Sequence, residues 1–250
     1  MALGTNTVLG NAVLRNAVLG NAVLGNDAHS WVWWAWIPKH QHEIYAYLRE
    51  HISLTVLSVG FGFAIALPLA VLAARRRAVA AVVVPTVNVI YTIPSVALLG
   101  LLLPTTGPGR DPAVIALTLY TLAILVRNIL EGLRGVPADV LDAADGMGYT
   151  RRRRLLRVEL PMALPAIVAG IRLATVSTIG LVTVTFIVDQ GGLGRFIQDG
   201  YQRDFHTPLV VGIVLSVALA VLADVLLVRL ERVVTPWRAT TRRANARRKR

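Results

Sequence analysis

Five stretches of this chain, at about residues 52–74, 79–103, 113–133, 166–188 and 209–230, are as long and as apolar as a helix must be to cross a lipid bilayer. A hydrocarbon core about 30 Å thick takes roughly 20 residues of helix, and inside it every backbone polar group must be satisfied internally. The runs therefore predict an all-α integral membrane protein of about five transmembrane helices. Composition agrees, since 55% of the 250 residues are apolar, 16% are charged and mean hydropathy is +0.59. A soluble domain carries about 25% charged residues, which argues against a soluble enzyme. The 26 basic side chains outnumber 14 acidic ones but fall in short runs between uncharged stretches, so nucleic acid is not an expected partner. With no cysteine there is no disulfide, thiolate nucleophile or Cys-ligated metal site.

The chain divides into four parts. Residues 1–30 are a low-complexity extension built on an Asn-Ala-Val-Leu-Gly pentapeptide, too short a period for a solenoid and lacking the basic start of a secretory signal. Residues 31–51 hold Trp31, Trp33, Trp34 and Trp36, which suit a headgroup anchor or, alternatively, an aromatic protein contact. Residues 52–234 form the membrane domain, and residues 235–250 are a basic tail suited to anionic lipid or simply to solvent. The second run, 79–103, contains Pro85, Asn88, Pro94 and Gly100 and is expected to be one tilted helix or two broken ones. With five spans, Arg75–Arg77, Arg134, Arg151–Arg154, Arg157 and the tail share one side. The positive-inside rule then puts the amino terminus outside, and the carboxyl terminus and the loop 138–165 in the cytoplasm.

That loop reads as a short helix over 138–147, with Pro137 at its start and Val140, Leu141 and Ala144 on one side. Gly146 and Gly148 permit a turn and close approach to another surface, and Pro161 and Pro165 are expected to break the chain before the fourth span. An amphipathic helix lying on the membrane fits the same residues. The pattern of Asp142, Ala143, Ala144, three residues, Gly148, nine residues, Val158, one residue, Leu160 and Pro161 resembles the EAA loop of bacterial ABC importer permeases, with Asp142 for the usual Glu. Thr92-Ile-Pro94-Ser95, the segment 160–172 and Gly191-Gly-Leu-Gly194 resemble the branch that imports glycine betaine, choline and related osmoprotectants; Asp189-Gln190 departs from the Gly-Ala of that branch.

The resemblance implies a permease subunit of the bacterial inner membrane, not an enzyme. Its implied partners are a separate ABC ATPase subunit that carries the ATP, a second permease copy or a sister permease, an extracytoplasmic solute-binding protein and membrane lipid. Asp142, Ala143, Ala144, Gly148, Val158, Leu160 and Pro161 would couple to the ATPase. No Gly-x-x-x-x-Gly-Lys-Ser/Thr phosphate loop occurs in the chain, and no cofactor is expected on it. A permease for methionine or an alkyl sulfonate, or a membrane scaffold without transport, is the alternative.

Polar residues in the spans suit a translocation path or interhelical hydrogen bonds. Asn88, Tyr91, Thr92 and Ser95 recur on one side of the second run, with Pro94 freeing a carbonyl nearby, and Thr175, Thr178, Thr183 and Thr185 mark the fourth span. Arg127 and Glu131 are spaced to pair along their helix. Asp224 stands without an evident partner, left to meet Arg229 of a neighbour or to reach the cytoplasmic boundary. His40, His42 and His51 match no common zinc spacing, and their region reads as a flexible or interfacial entry to the first span.

Overall fold

The computed structural model describes residues 31–235; the pentapeptide region and the tail beyond residue 235 lie outside the described residues. In chain order the helices are α1 (Trp36–Lys39), α2 (Gln41–Arg75), α3 (Arg77–Thr92), α4 (Ser95–Thr106), α5 (Arg110–Arg134) and α6 (Ala138–Gly146). They continue with α7 (Arg151–Val182), a 3-10 turn at Thr185–Val188, α8 (Gly194–Gln202) and α9 (His206–Val234). Helices α2, α5, α7 and α9 are each long and apolar enough to cross a membrane, and α3 with α4 make a bent fifth candidate.

Helix α5 is the axis of the bundle. It buries Leu125, Val126 and Ile129 completely, between α2, α3 and α7. Small residues let the backbones close on it: a Cβ added at Gly132 would stand 2.7 Å from the Ala166 Cβ, and one at Gly170 2.6 Å from the Asn128 Cβ. In lipid, where apolar contact with a neighbour offers little advantage over contact with acyl chains, such close approach is what holds helices together.

Residues 41–51 are helix, not a flexible entry, so α2 runs 35 residues, about 52 Å at 1.5 Å per residue. No glycine or proline interrupts it before Gly60, and its first turns are tied to the rest of the fold. Trp36 is buried edge-on against Phe196 and Phe205, an aromatic protein contact, while Trp31 and Trp34 stay exposed.

The second apolar run is broken. Its two helices meet at 97° over Ile93 and Pro94. Pro94 forces Ile93 into extended backbone (φ −67°, ψ 127°) and removes the donor that would continue the helix. The opposite holds at the fourth span, where Pro161 and Pro165 do not break the chain and α7 is continuous. Leu155–Glu159 takes a π-helical turn, and Pro161 follows at the start of the regular helix, where a missing N–H forfeits little.

Hydrogen bonds between helix ends show which termini share a side of the bundle. Arg75 donates to the Arg151 carbonyl at 3.1 Å, bringing the ends of α2 and α7 to the α6 side. At the opposite end Gly109 N donates to the Val188 carbonyl at 2.7 Å, and Arg110 bonds Ser53.

Candidate functional site

Helix α6 stands out from the bundle as a compact knob. Its Ala144 is buried and Val140 and Leu141 are half-buried, whereas Asp142, Ala143 and Gly148 face outward. Val158, Leu160 and Pro161 are half-buried in the first turns of α7, which form the knob's support. Gly148 has φ +75° and nothing within 4 Å of an added Cβ, so glycine is required by conformation rather than by crowding. Backbone bonds from Met147 to Ala143 O, Gly148 to Asp145 O and Tyr149 to Ala144 O close the helix into the turn.

Side-chain contacts absent from the sequence pattern tie the knob down. Arg154 bonds Asp145 of α6 and, at 2.9 Å, Glu159. One guanidinium thus joins the knob to α7. Arg153 lies 4.6 Å over the Tyr149 ring, and Thr150 Oγ1 accepts the Arg153 N–H at 3.4 Å. Met147, between two glycines, is 66% exposed and forms the apolar tip. Its signal was legible, an apolar residue in a glycine turn of a polar loop; the Arg154 fork needed the fold.

The candidate path residues separate. Asn88, Tyr91 and Thr92 share α3, but Ser95 opens α4 beyond the bend and Pro94 caps it. Thr92 bonds its own helix at Val89 O. Two carbonyls at the bend have partners within the chain: Ile90 O accepts the Ile93 N–H and Ile93 O accepts the Tyr120 hydroxyl. Arg127 does not pair with Glu131; it reaches across to Asn88, donating to Oδ1 at 2.7 Å. Tyr91 meets Tyr120 edge-on at 5.9 Å. Among the threonines of α7 and the turn after it, Thr178 makes an interhelical bond with Thr121 at 3.2 Å, and Thr175, Thr183 and Thr185 bond their own backbone.

Asp224 is paired within its own chain: Arg172 donates to it from Nε at 3.0 Å and from Nη2 at 2.9 Å, and to Glu231 at 3.2 Å. At the end of the bundle remote from α6, the glycine turn is gripped by α2. Glu50 Oε1 accepts the N–H groups of Gly191 and Gly192 at 2.9 and 3.1 Å. His51 Nδ1 accepts the Leu193 N–H at 3.3 Å, which leaves Nε2 to donate to Ile179 O at 3.0 Å. The imidazole is therefore neutral and both its nitrogens are occupied. Asp189, where the resemblance has glycine, sits at φ +58°, a left-handed conformation that Asp tolerates better than most residues.

Residues 66–236 match the family of binding-protein-dependent transport system inner membrane components. The chain is 37% identical to the choline transport system permease protein OpuBB of Bacillus subtilis over 190 residues, 75% of this chain and 86% of that protein. It is 38% identical to the osmoprotectant import permease protein OsmW of Salmonella typhimurium over 192 residues, 75% and 89% of the two chains. Among solved structures, the inward-facing methionine ABC transporter MetNI superposes with a TM-score of 0.71 at 28% identity, over 79% of this chain and 98% of that one.

Proposed function

Because the chain belongs to the family of binding-protein-dependent transport system inner membrane components, we propose that its solute is a quaternary ammonium osmoprotectant of the glycine betaine and choline type. It is a multi-pass permease of the bacterial inner membrane, and such permeases work with a solute-binding protein. In this reading a separate ATPase subunit holds the ATP and docks on the α6 side, with the amino terminus outside. A second permease copy or a sister permease completes the path, and lipid surrounds the pair.

The observation that carries the coupling role is the α6 knob, exposed at Met147 and Gly148 and spliced to α7 through Arg154. A rigid knob at the end of a 32-residue helix transmits a push along the whole span. Asp142, Ala143 and Gly148 form its contact face with Ala144 packed beneath them, while Val158, Leu160 and Pro161 form the root. Residues 52–234 act as the transport domain. The path runs along the exposed side of α3 at Asn88 and Tyr91, with Thr92, Pro94 and Ser95 shaping the bend above them.

The likeness to the methionine transporter supports methionine as a second reading, at lower identity than the osmoprotectant permeases. Uptake separates the two. Cells lacking other osmolyte importers and expressing this permease with its ATPase and binding protein should accumulate labelled glycine betaine or choline. Accumulation of methionine alone would overturn the proposal.

A further inference from the structure

Arg127 lies in an apolar span and is exposed, and its hydrogen bond goes to a neutral partner, Asn88 Oδ1 at 2.7 Å. A guanidinium has five donors, so most of this group's capacity remains available. It does not reach toward the near end of its helix at Arg134. It reaches instead to a residue eleven positions beyond Arg77 on α3, about 16 Å along that helix, so the charge is drawn into the span. A pocket of about 140 Å³ lies beside it, walled by Val87, Asn88, Val126, Arg127 and Leu130. Glu131 and Arg134 line it as well.

On the same seam between α3 and α5 lies an aromatic rung. Tyr91, 49% exposed, is one turn beyond Asn88, and Tyr120, its edge-on partner, is two turns before Arg127. Asn88, which holds the guanidinium, and Tyr91 thus lie about 4.5 Å apart along α3, so the cationic fork and the exposed phenol ring belong to the same seam. A ring face attracts the methyl shell of a quaternary ammonium, and a guanidinium fork matches a carboxylate. A molecule carrying both groups offers a partner to each rung.

Resting on the osmoprotectant reading, we infer that Arg127, positioned by Asn88, binds the carboxylate of a zwitterionic solute in the path, so that this permease favours betaines over choline, which has no carboxylate. The binding protein sets apparent affinity; Arg127 sets the rate of passage for the carboxylate-bearing solute.

The test uses the assembled complex in proteoliposomes, with glycine betaine and choline each at a concentration that saturates the binding protein. In the wild type, betaine should pass faster than choline, and betaine amide, which lacks the negative charge, should pass at the slower rate. Arg127→Leu should lower the betaine-to-choline ratio of maximal rates about tenfold or more, the effect of losing one charge-assisted hydrogen-bonded contact. Arg127→Lys should restore part of it, because the charge returns without the fork. If Arg127→Leu does not assemble, the wild-type comparison of betaine with its amide decides alone. Equal wild-type rates for betaine and its amide, or an unchanged ratio in Arg127→Leu, would overturn the inference and leave the osmoprotectant reading intact. Failure of the wild type to move any quaternary ammonium would overturn both.

Discussion

Arg172 of α7 grips Asp224 of α9 with two N–H groups, at 2.9 and 3.0 Å, and holds Glu231 two turns further along at 3.2 Å. Helix α9 buries only 17% of its most apolar window inside the chain, so this clasp is its principal polar tie to the helix that begins at the coupling knob. Removing one partner leaves a charge in an apolar span. Arg172→Leu and Asp224→Leu should each cost about 1–2 kcal/mol, at the upper end of polar interhelical ties in membranes. The double variant should recover much of that, measured as thermal unfolding in detergent. Additive losses would show that the pair is not coupled.

Gly148→Asp should insert and assemble normally yet lose solute-stimulated ATP hydrolysis. No side chain stands near that position and Asp tolerates left-handed backbone better than most residues, so the defect comes mainly from a charge on the contact face. Gly148→Asn, which accepts left-handed backbone, should keep more stimulation than Gly148→Ala. Full stimulation in Gly148→Asp would remove the knob from the mechanism.

Replacing Glu50 by alanine orphans two backbone N–H groups, those of Gly191 and Gly192, at about 1–3 kcal/mol for each if no water reaches them. Glu50→Gln keeps an acceptor oxygen and should be milder. His51→Phe should be as damaging as Glu50→Ala, because Leu193 N–H and Ile179 O both lose a partner. Protease sensitivity at the 189–194 turn and the melting temperature read the effect; unchanged protection in Glu50→Ala would contradict the clamp.

Reporter fusions after Arg77, Gly109, Arg154 and Arg203 should report inside, outside, inside and outside. Position 203 is chosen because Gly200 is packed hard against Leu209, where an added Cβ would come within 2.5 Å. An inside signal at Arg203 would turn α6 away from the cytoplasm and dismiss its ATPase.

What this chain's sequence determined by itself is whatever one segment decides alone. Apolar runs of bilayer length have to be helix, since nothing else satisfies their backbone in lipid, and the runs near 113–133 and 209–230 fall within α5 and α9. Pro137 and the spacing of Val140, Leu141 and Ala144 were enough to mark α6 and its inner side. Proline was ambiguous by contrast: Pro94 breaks its helix and Pro161 does not, lying instead where a π turn passes into regular helix. Only the tertiary structure decided the pairings, Arg127 with Asn88, Arg172 with Asp224, and Glu50 and His51 with the 191–193 backbone. These partners are 39, 52 and about 141 residues apart. A charged or polar side chain in a span has to find a partner, but which one depends on the rotation and depth of neighbouring helices, and small residues such as Gly132 and Gly170 set those by how closely the backbones approach.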